Sequence, residues 1–444
     1  MAEGASIDIA TLWYLIVGTL LVSMAVLESL LQRLPLSPAM FYLLVGFLLG
    51  PSGFALIEID PGKHAGLLTI IAEIALLISL FTVGLKLRVP LSDRIWRLPV
   101  RLGLATMAVT MILLVAIGVF LLHFPLGAAI VLAAILAPTD PVLASDVQIE
   151  DVGDRDRIRF SLSGEGGLND GIAFPFLMVG LGLLAVPKAF DYTQPGVLFR
   201  VAWEFFAGLG GGWLIGLAIG RLILYLRRRY RIALGMEEFL TLGMIAISYG
   251  MTHAIHGNGV IAVFMTGLAL RRIEHATSGI EAPSSVIGAV SAGSKVDVAT
   301  DPRKAPAYMT ETVLDFNRQL EHIIEFAMVL LLGAMLSGSG ISSEGIAVAA
   351  LLFFVVRPAA IVMTLKGLTV TPLQRAMMAW FGIRGIGSLY YLTFALQYHW
   401  LPQLVDRFTA LVLTIVAASI VLHGFSARPL MKFYYRQRSK EDLQ

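Results

Sequence analysis

The chain is built from apolar runs about 20 residues long, the length an α-helix needs to cross a hydrocarbon core of roughly 30 Å. These runs recur from about residue 10 to residue 430, separated by short polar or Gly/Pro-containing breaks. A bilayer core has no water to satisfy bare backbone N–H and C=O groups, so a spanning segment must be a helix or part of a closed barrel. A barrel would show shorter segments alternating apolar and polar, and that alternation is absent. An all-α polytopic membrane protein is therefore expected. Composition agrees: 57% of the 444 residues are hydrophobic and 14% charged, where a soluble domain carries about 25% charged residues.

Thirteen spans are expected, at about 10–30, 37–53, 64–86, 97–121, 126–145, 160–185, 197–224, 236–252, 256–272, 320–340, 344–366, 375–397 and 405–430. The eighth and ninth are short enough to form one re-entrant unit, and Gly46, Gly50 and Pro51 interrupt the second. The amino terminus has acidic residues and no basic stretch before its first apolar run, so that span is expected to be retained rather than cleaved as a signal. Basic loops stay on the cytoplasmic side. With the amino terminus outside, 27 of the 33 Lys and Arg residues fall in cytoplasmic segments, against Lys63, Lys188, Arg200 and Arg407 outside. The expectation is a bacterial inner-membrane protein with its carboxyl terminus in the cytoplasm. Residues 1–430 read as one membrane domain and 431–444 as a short basic cytoplasmic tail. The polar stretch 273–318 reads as a cytoplasmic linker, mobile or peripheral, because its composition builds no packed core.

Several function classes drop out. The net charge of +2 comes from basic residues that bracket lipid spans, which gives no reason to expect a nucleic-acid partner. There is no cysteine, hence no disulfide and no thiolate nucleophile or ligand. His253 and His256, three apart, read as outer-surface loop or titrating groups in preference to metal ligands. No cofactor is expected.

The informative residues are those that lipid should exclude. An ionisable group at membrane depth costs about 2.5–3.5 kcal/mol or more on insertion scales, so it faces a cavity or a partner. The fifth span carries Pro138-Thr139-Asp140-Pro141 in an otherwise apolar run, and two prolines around Thr-Asp should unwind the helix there. In the sixth, Gly164-Glu165-Gly166-Gly167-Leu168-Asn169-Asp170-Gly171 places Glu165 and Asn169 on one helix face, with Asp170 turned about 100° away. In the twelfth, Gly382-Ile383-Arg384-Gly385-Ile386-Gly387-Ser388 loosens the helix around an arginine. Spans five and twelve are seven apart. If spans one to six and eight to thirteen are inverted copies, at about 10–185 and 236–430, these two interrupted helices become equivalent and should meet near the midplane.

A single carboxylate shut in such a cavity can be neutralised by a proton or by a metal ion, but not by both. Competition for one charge is the physical basis of antiport. If Asp170 alone titrates while Asn169 stays neutral, one proton exchanges for one monovalent cation and no net charge moves. Asp140 complicates that count unless it caps the facing half-helices.

Thr139-Asp140-Pro141, then Glu165 and Asn169-Asp170-Gly171, then Gly382-Ile383-Arg384-Gly385, together resemble the NhaP and sodium/proton exchanger branch of the cation/proton antiporters. The resemblance covers essentially the whole membrane region and implies the NhaP-type antiporter fold. It implies that Asp170 binds cation and proton alternately, that Asn169 ties to the unwound fifth span near Thr139 and Asp140, and that Glu165 and Arg384 form a buried ion pair. It also implies a homodimer, electroneutral exchange, and no enzymatic activity. Two positions depart from the family pattern. Gly166 stands where the family often has Ser. Phe81-Thr82-Val83-Gly84-Leu85 matches a motif with Glu in place of Thr82, so a neutral hydroxyl takes a carboxylate's place among the candidate ligands. Glu73, nine residues earlier, is no obvious substitute. Fewer hard oxygens weaken a sodium cage, which leaves potassium and lithium as alternatives to sodium.

The other buried charges have plainer readings. Arg357, followed by Pro358, can bond carbonyls freed in its span, and Glu325 can pair with it or line an access path. Glu28 and Glu204 lie near span ends, where snorkelling accounts for them. A channel would need a filter-like segment, and none is evident. An intramembrane hydrolase would pair two aspartates, a role that Asp140 and Asp170 could imitate.

Overall fold

The computed structural model describes residues 9–31, 36–140, 147–149, 154, 156–184, 196–231, 235–279, 281–288, 295–398 and 402–441. Every regular element among them is helical. The principal helices are α1 (Ile9–Leu31), α2 (Pro38–Leu49), α3 (Ala65–Lys86), α4 (Arg94–Leu121), α5 (Leu126–Leu136), α6 (Arg157–Leu183) and α7 (Val197–Tyr230). They continue with α8 (Glu237–Ala254), α9 (Gly259–Ser278), α10 (Ala305–Ser339), α11 (Ser343–Thr364), α12 (Pro372–Trp380), α13 (Ile386–Leu396) and α14 (Pro402–Glu441). Seven of these helices are long and apolar enough to cross a membrane. Each of the thirteen expected spans overlaps a helix or, for the twelfth, the pair α12 and α13, and the end of the fifth, 141–145, lies outside the described residues. The eighth and ninth are separate helices, and Asn258 starts α9 by accepting from the Ile261 N–H.

With lipid tails as apolar as leucine, helices associate in a membrane through close packing, which small residues at the contact permit. Two crossings show this. α2 lies against α10 with Gly46 on the Leu330 carbonyl and Gly333 on the Leu43 carbonyl. α3 lies against α9 with Gly84 on the Phe264 carbonyl and Gly267 on the Phe81 carbonyl. A side chain at any of the four would collide with backbone. Counted by span, second-with-tenth and third-with-ninth exchange under an offset of seven. The same offset relates the π-turn Leu102–Thr106 of α4 to the π-turn Leu352–Val356 of α11.

Two stretches are more regular than their composition suggests. The stretch 273–318 is not a peripheral linker throughout. Its first residues complete α9, and from Ala305 onward it forms the first turns of α10 with Met309, Val313, Leu314 and Asn317 buried. The apolar positions recur there at helical spacing, and mixed charge on the other face masks that pattern in the composition. The tail is not separate either, since α14 runs unbroken to Glu441. Tyr434 is buried and donates to Asp156 Oδ2 at 3.0 Å, and Arg438 reaches the same oxygen at 2.8 Å.

Gly333→Leu should unseat α2 from α10. Overpacking a tight contact costs about 1–3 kcal/mol, so its unfolding midpoint in detergent should fall by several degrees. Gly18→Leu on α1, with nothing within 4 Å of the added carbon, should leave the midpoint where it was.

Candidate functional site

The site is built where two helices stop short and pass each other. α5 ends at Leu136, and residues 137–140 are non-helical up to the last described residue before Pro141. α12 ends at Trp380, residues 381–385 are non-helical, and α13 begins at Ile386. The two strands of unwound backbone bond to one another: Asp140 N–H donates to the Ile383 carbonyl at 2.9 Å. The charges are exchanged between them. Asp140 Oδ2 accepts from Ile386 N–H at 2.8 Å, at the positive end of α13. Arg384 Nε donates to the Leu136 carbonyl, at the negative end of α5. Ser388 Oγ adds a bond to the Ile135 carbonyl at 2.7 Å, and Ser419 Oγ of α14 accepts from Arg384 N–H at 2.8 Å.

α6 runs alongside this crossing, unbroken and glycine-rich. Asn169 Nδ2 donates to Thr139 Oγ1 at 2.9 Å, the tie that the resemblance implied. Asp170 is 4% exposed, and its carboxylate lies on Gly387 in the first turn of α13. A carbon added at Gly387 would stand 2.7 Å from Asp170 Oδ1, so the missing side chain makes the space for the carboxylate. Pro175 has no N–H to offer the Gly171 carbonyl one turn earlier. Asn258 Nδ2 fills that place at 2.6 Å, and the Tyr391 hydroxyl donates to the neighbouring Asp170 carbonyl. The helix around Asp170 is thus held from α9 and α13 while the carboxylate itself is left open. Two buried acceptors, Asp170 Oδ1 and Asn169 Oδ1, receive no hydrogen bond among the described residues.

The ion pair differs from expectation. Glu165 is met by Arg357, not by Arg384: Arg357 Nη1 and Nη2 reach Glu165 Oε1 and Oε2 at 2.5 and 2.7 Å, a bidentate pair that is 1–2% exposed. The reason lies in the local backbone. Arg384 sits in an unwound stretch where carbonyls are free, and it bonds those of Leu136, Gly382 and Ile383. Arg357 sits in helical backbone, where most carbonyls are already taken, so it needs a carboxylate. The sequence carried that signal in the glycines flanking Arg384 and their absence around Arg357.

Thr82 is fully buried and donates to the Ile78 carbonyl of its own helix at 2.8 Å. Its bonds do not join it to Asp170, Asn169 or Thr139. Glu204 does not snorkel but pairs with Arg200 at 3.1 Å, while the side chain of Glu28 lies outside the described residues. Among the described residues no group of three or more His, Asp or Glu side chains forms a metal site. Asn258 and Tyr391 were not evident as parts of the site, since neither is charged and both act on backbone oxygen.

Comparison with known proteins follows the geometry. Residues 17–433 match the family described as "Sodium/hydrogen exchanger, transmembrane". The K(+)/H(+) antiporter NhaP of Alkalimonas amylolytica is 24% identical over 437 residues, covering 96% of this chain and 67% of that protein. The Na(+)/H(+) antiporter ApNhaP of Aphanothece halophytica is 32% identical over 159 residues, 35% of this chain and 29% of that one. The chain thus spans two thirds of the first relative and a smaller part of the second. The structure of the sodium proton antiporter MjNhaP1 from Methanocaldococcus jannaschii superposes with a TM-score of 0.67 at 18% identity, covering 96% of this chain and 99% of that one, which shows the shared fold.

Removing one partner of a buried pair strands the other at a cost of about 3–5 kcal/mol. Glu165→Ala and Arg357→Ala should each lower detergent stability by that order, and Glu165→Ala should lower it no further in an Arg357→Ala background. A double-mutant cycle on unfolding midpoints measures this. Additive losses would break the pairing. The match across residues 17–433 places this membrane chain in the sodium/hydrogen exchanger family.

Proposed function

We propose that the chain exchanges a monovalent alkali cation for H+ across the membrane, with Asp170 as the group that carries each in turn. The observation that carries this reading is the pair of buried oxygens that receive no hydrogen bond among the described residues, Asp170 Oδ1 and Asn169 Oδ1, beside a crossing where Asp140 and Arg384 each meet a helix end. A buried carboxylate without a donor is costly, and either a proton on it or a cation against it removes the cost. Asp140 is committed to the start of α13, and Glu165 is committed to Arg357. Asp170 is then the one carboxylate of this set left to change state, and one cation exchanges for one proton without net charge movement.

Thr139 and Asp140 complete the oxygen set on the α5 side, with Thr82 contributing only as a lone pair on a hydroxyl that already donates elsewhere. Sodium is the first choice of cation. Potassium is the second reading, favoured by the lack of a hydroxyl at Gly166 and of a carboxylate at Thr82, since a weaker ligand field repays less of the larger dehydration cost of the smaller ion. Alternating access would follow from movement of α4–α6 and α11–α14 against the unit bound through α2, α3, α9 and α10, in a homodimer of inner-membrane subunits whose amino termini face outward.

In proteoliposomes, Asp170→Asn should abolish cation-driven dequenching of a pH dye while the protein keeps its wild-type elution and unfolding midpoint. Retained exchange would remove Asp170 from its role. In the wild type the half-saturating cation concentration should rise as pH falls, up to about tenfold per unit, because one proton competes with one cation. A rate that follows the imposed membrane potential would contradict the electroneutral count.

A further inference from the structure

The membrane interior holds another carboxylate that the exchange reaction has not used. Glu73 is the one acidic residue on α3 and lies nine residues from Thr82, about 13 Å along the helix. It opens into a cavity of about 360 Å³ lined also by Glu204, Tyr249, His253, Asn258 and Tyr390, where a single water needs only about 10–15 Å³. Two hydroxyls, Tyr249 from α8 and Tyr390 from α13, donate to the same oxygen, Glu73 Oε1, the second at 3.2 Å. Glu73 Oε2 receives no hydrogen bond among the described residues, and no Lys or Arg pairs with the carboxylate there. The arginine that shares the cavity, Arg200, pairs with Glu204.

Two residues at the cavity wall lead to the backbone beside Asp170. Asn258 bonds the Gly171 carbonyl, and Tyr390 is followed by Tyr391, which bonds the Asp170 carbonyl. A negative charge without a basic partner in a low-dielectric cleft concentrates cations. Both donors sit on one oxygen of a carboxylate that lines the cavity and leave the other without a donor among the described residues, an arrangement suited to a hydrated ion held loosely.

We propose that Glu73 forms an antechamber site, where an alkali cation entering from this face is held before it passes to Asp170. This rests on the assignment of Asp170 as the exchanging carboxylate. The face is the one bearing Gly257, outer by the distribution of Lys and Arg. Glu73→Gln keeps an acceptor for both tyrosines and loses the charge, while Glu73→Asp keeps the charge and withdraws the acceptor.

The test is exchange in right-side-out and everted membrane vesicles, with sodium and potassium each supplied from one face. Glu73→Gln should raise the half-saturating concentration about five- to tenfold from the outer face and less than twofold from the cytoplasmic face, and Glu73→Asp should restore it. An equal rise on both faces, no rise on either, or an Asp variant more impaired than the Gln variant would overturn the proposal. Asp170→Asn in the same vesicles separates the two ideas. Continued exchange in that variant removes the reading beneath, whereas its loss alongside a wild-type response in Glu73→Gln removes the antechamber alone.

Discussion

The structure depends on the reciprocal capping of two interrupted helices. A chain in lipid can break a helix only where something other than water takes up the freed backbone groups. Here each broken segment lends its charged residue to the other: Asp140 goes to the amino end of α13 and Arg384 to the carboxyl end of α5. The helix-end charges that could otherwise bind ions are thereby satisfied from within the protein. What remains open is displaced by one helix, onto α6, where Asp170 rests against Gly387. The two aspartates differ in their partners, one fixed by a helix end and the other with Oδ1 receiving no hydrogen bond among the described residues.

Around that crossing the remaining charges hold helices together. Glu165 and Arg357 join α6 to α11, and the Arg357 Nη2 group also reaches the Met378 carbonyl of α12 at 3.3 Å. Arg88, just past α3, makes two bonds of 2.8 Å to Glu274 of α9, and Arg271 bridges to Glu311 of α10 at 2.8 Å. Those ties lie on the helices already locked by the crossings at Gly46 with Gly333 and Gly84 with Gly267. Glycine contact and buried ion pair thus act on the same helices, which suits a rigid frame against which a second group of helices could move. Asp156, the cap of α6, is held in turn by Tyr434 and Arg438 of α14, so the helix bearing Asp170 is anchored at its amino end.

Much of this was legible in the residues because lipid imposes simple rules. Runs of about 20 apolar residues could be nothing but helices, and Pro138, Pro141 and the glycines around Arg384 marked the two breaks directly. Family likeness pairs Glu165 with Arg384, and both Arg357 and Arg384 are lone arginines within apolar spans; the free carbonyls around Arg384 leave Arg357 as the partner. The helical start of α10 was hidden by charge on its solvent side, which makes a half-buried helix resemble a linker in composition. Asn258 and Tyr391 were illegible for a different reason. Their partners are backbone carbonyls, and nothing in a sequence marks which carbonyl a distant side chain will reach.

The central claim is that one carboxylate holds a proton or a cation and never both. Calorimetric titration of the detergent-solubilised protein with sodium or potassium, repeated in buffers of different ionisation enthalpy, counts the protons released per cation bound. Close to one proton per cation is expected near the pH where Asp170 is protonated in the free protein, with neither heat nor release in Asp170→Asn. Cation binding that releases no proton at any pH, or release that survives in the Asn variant, would contradict it.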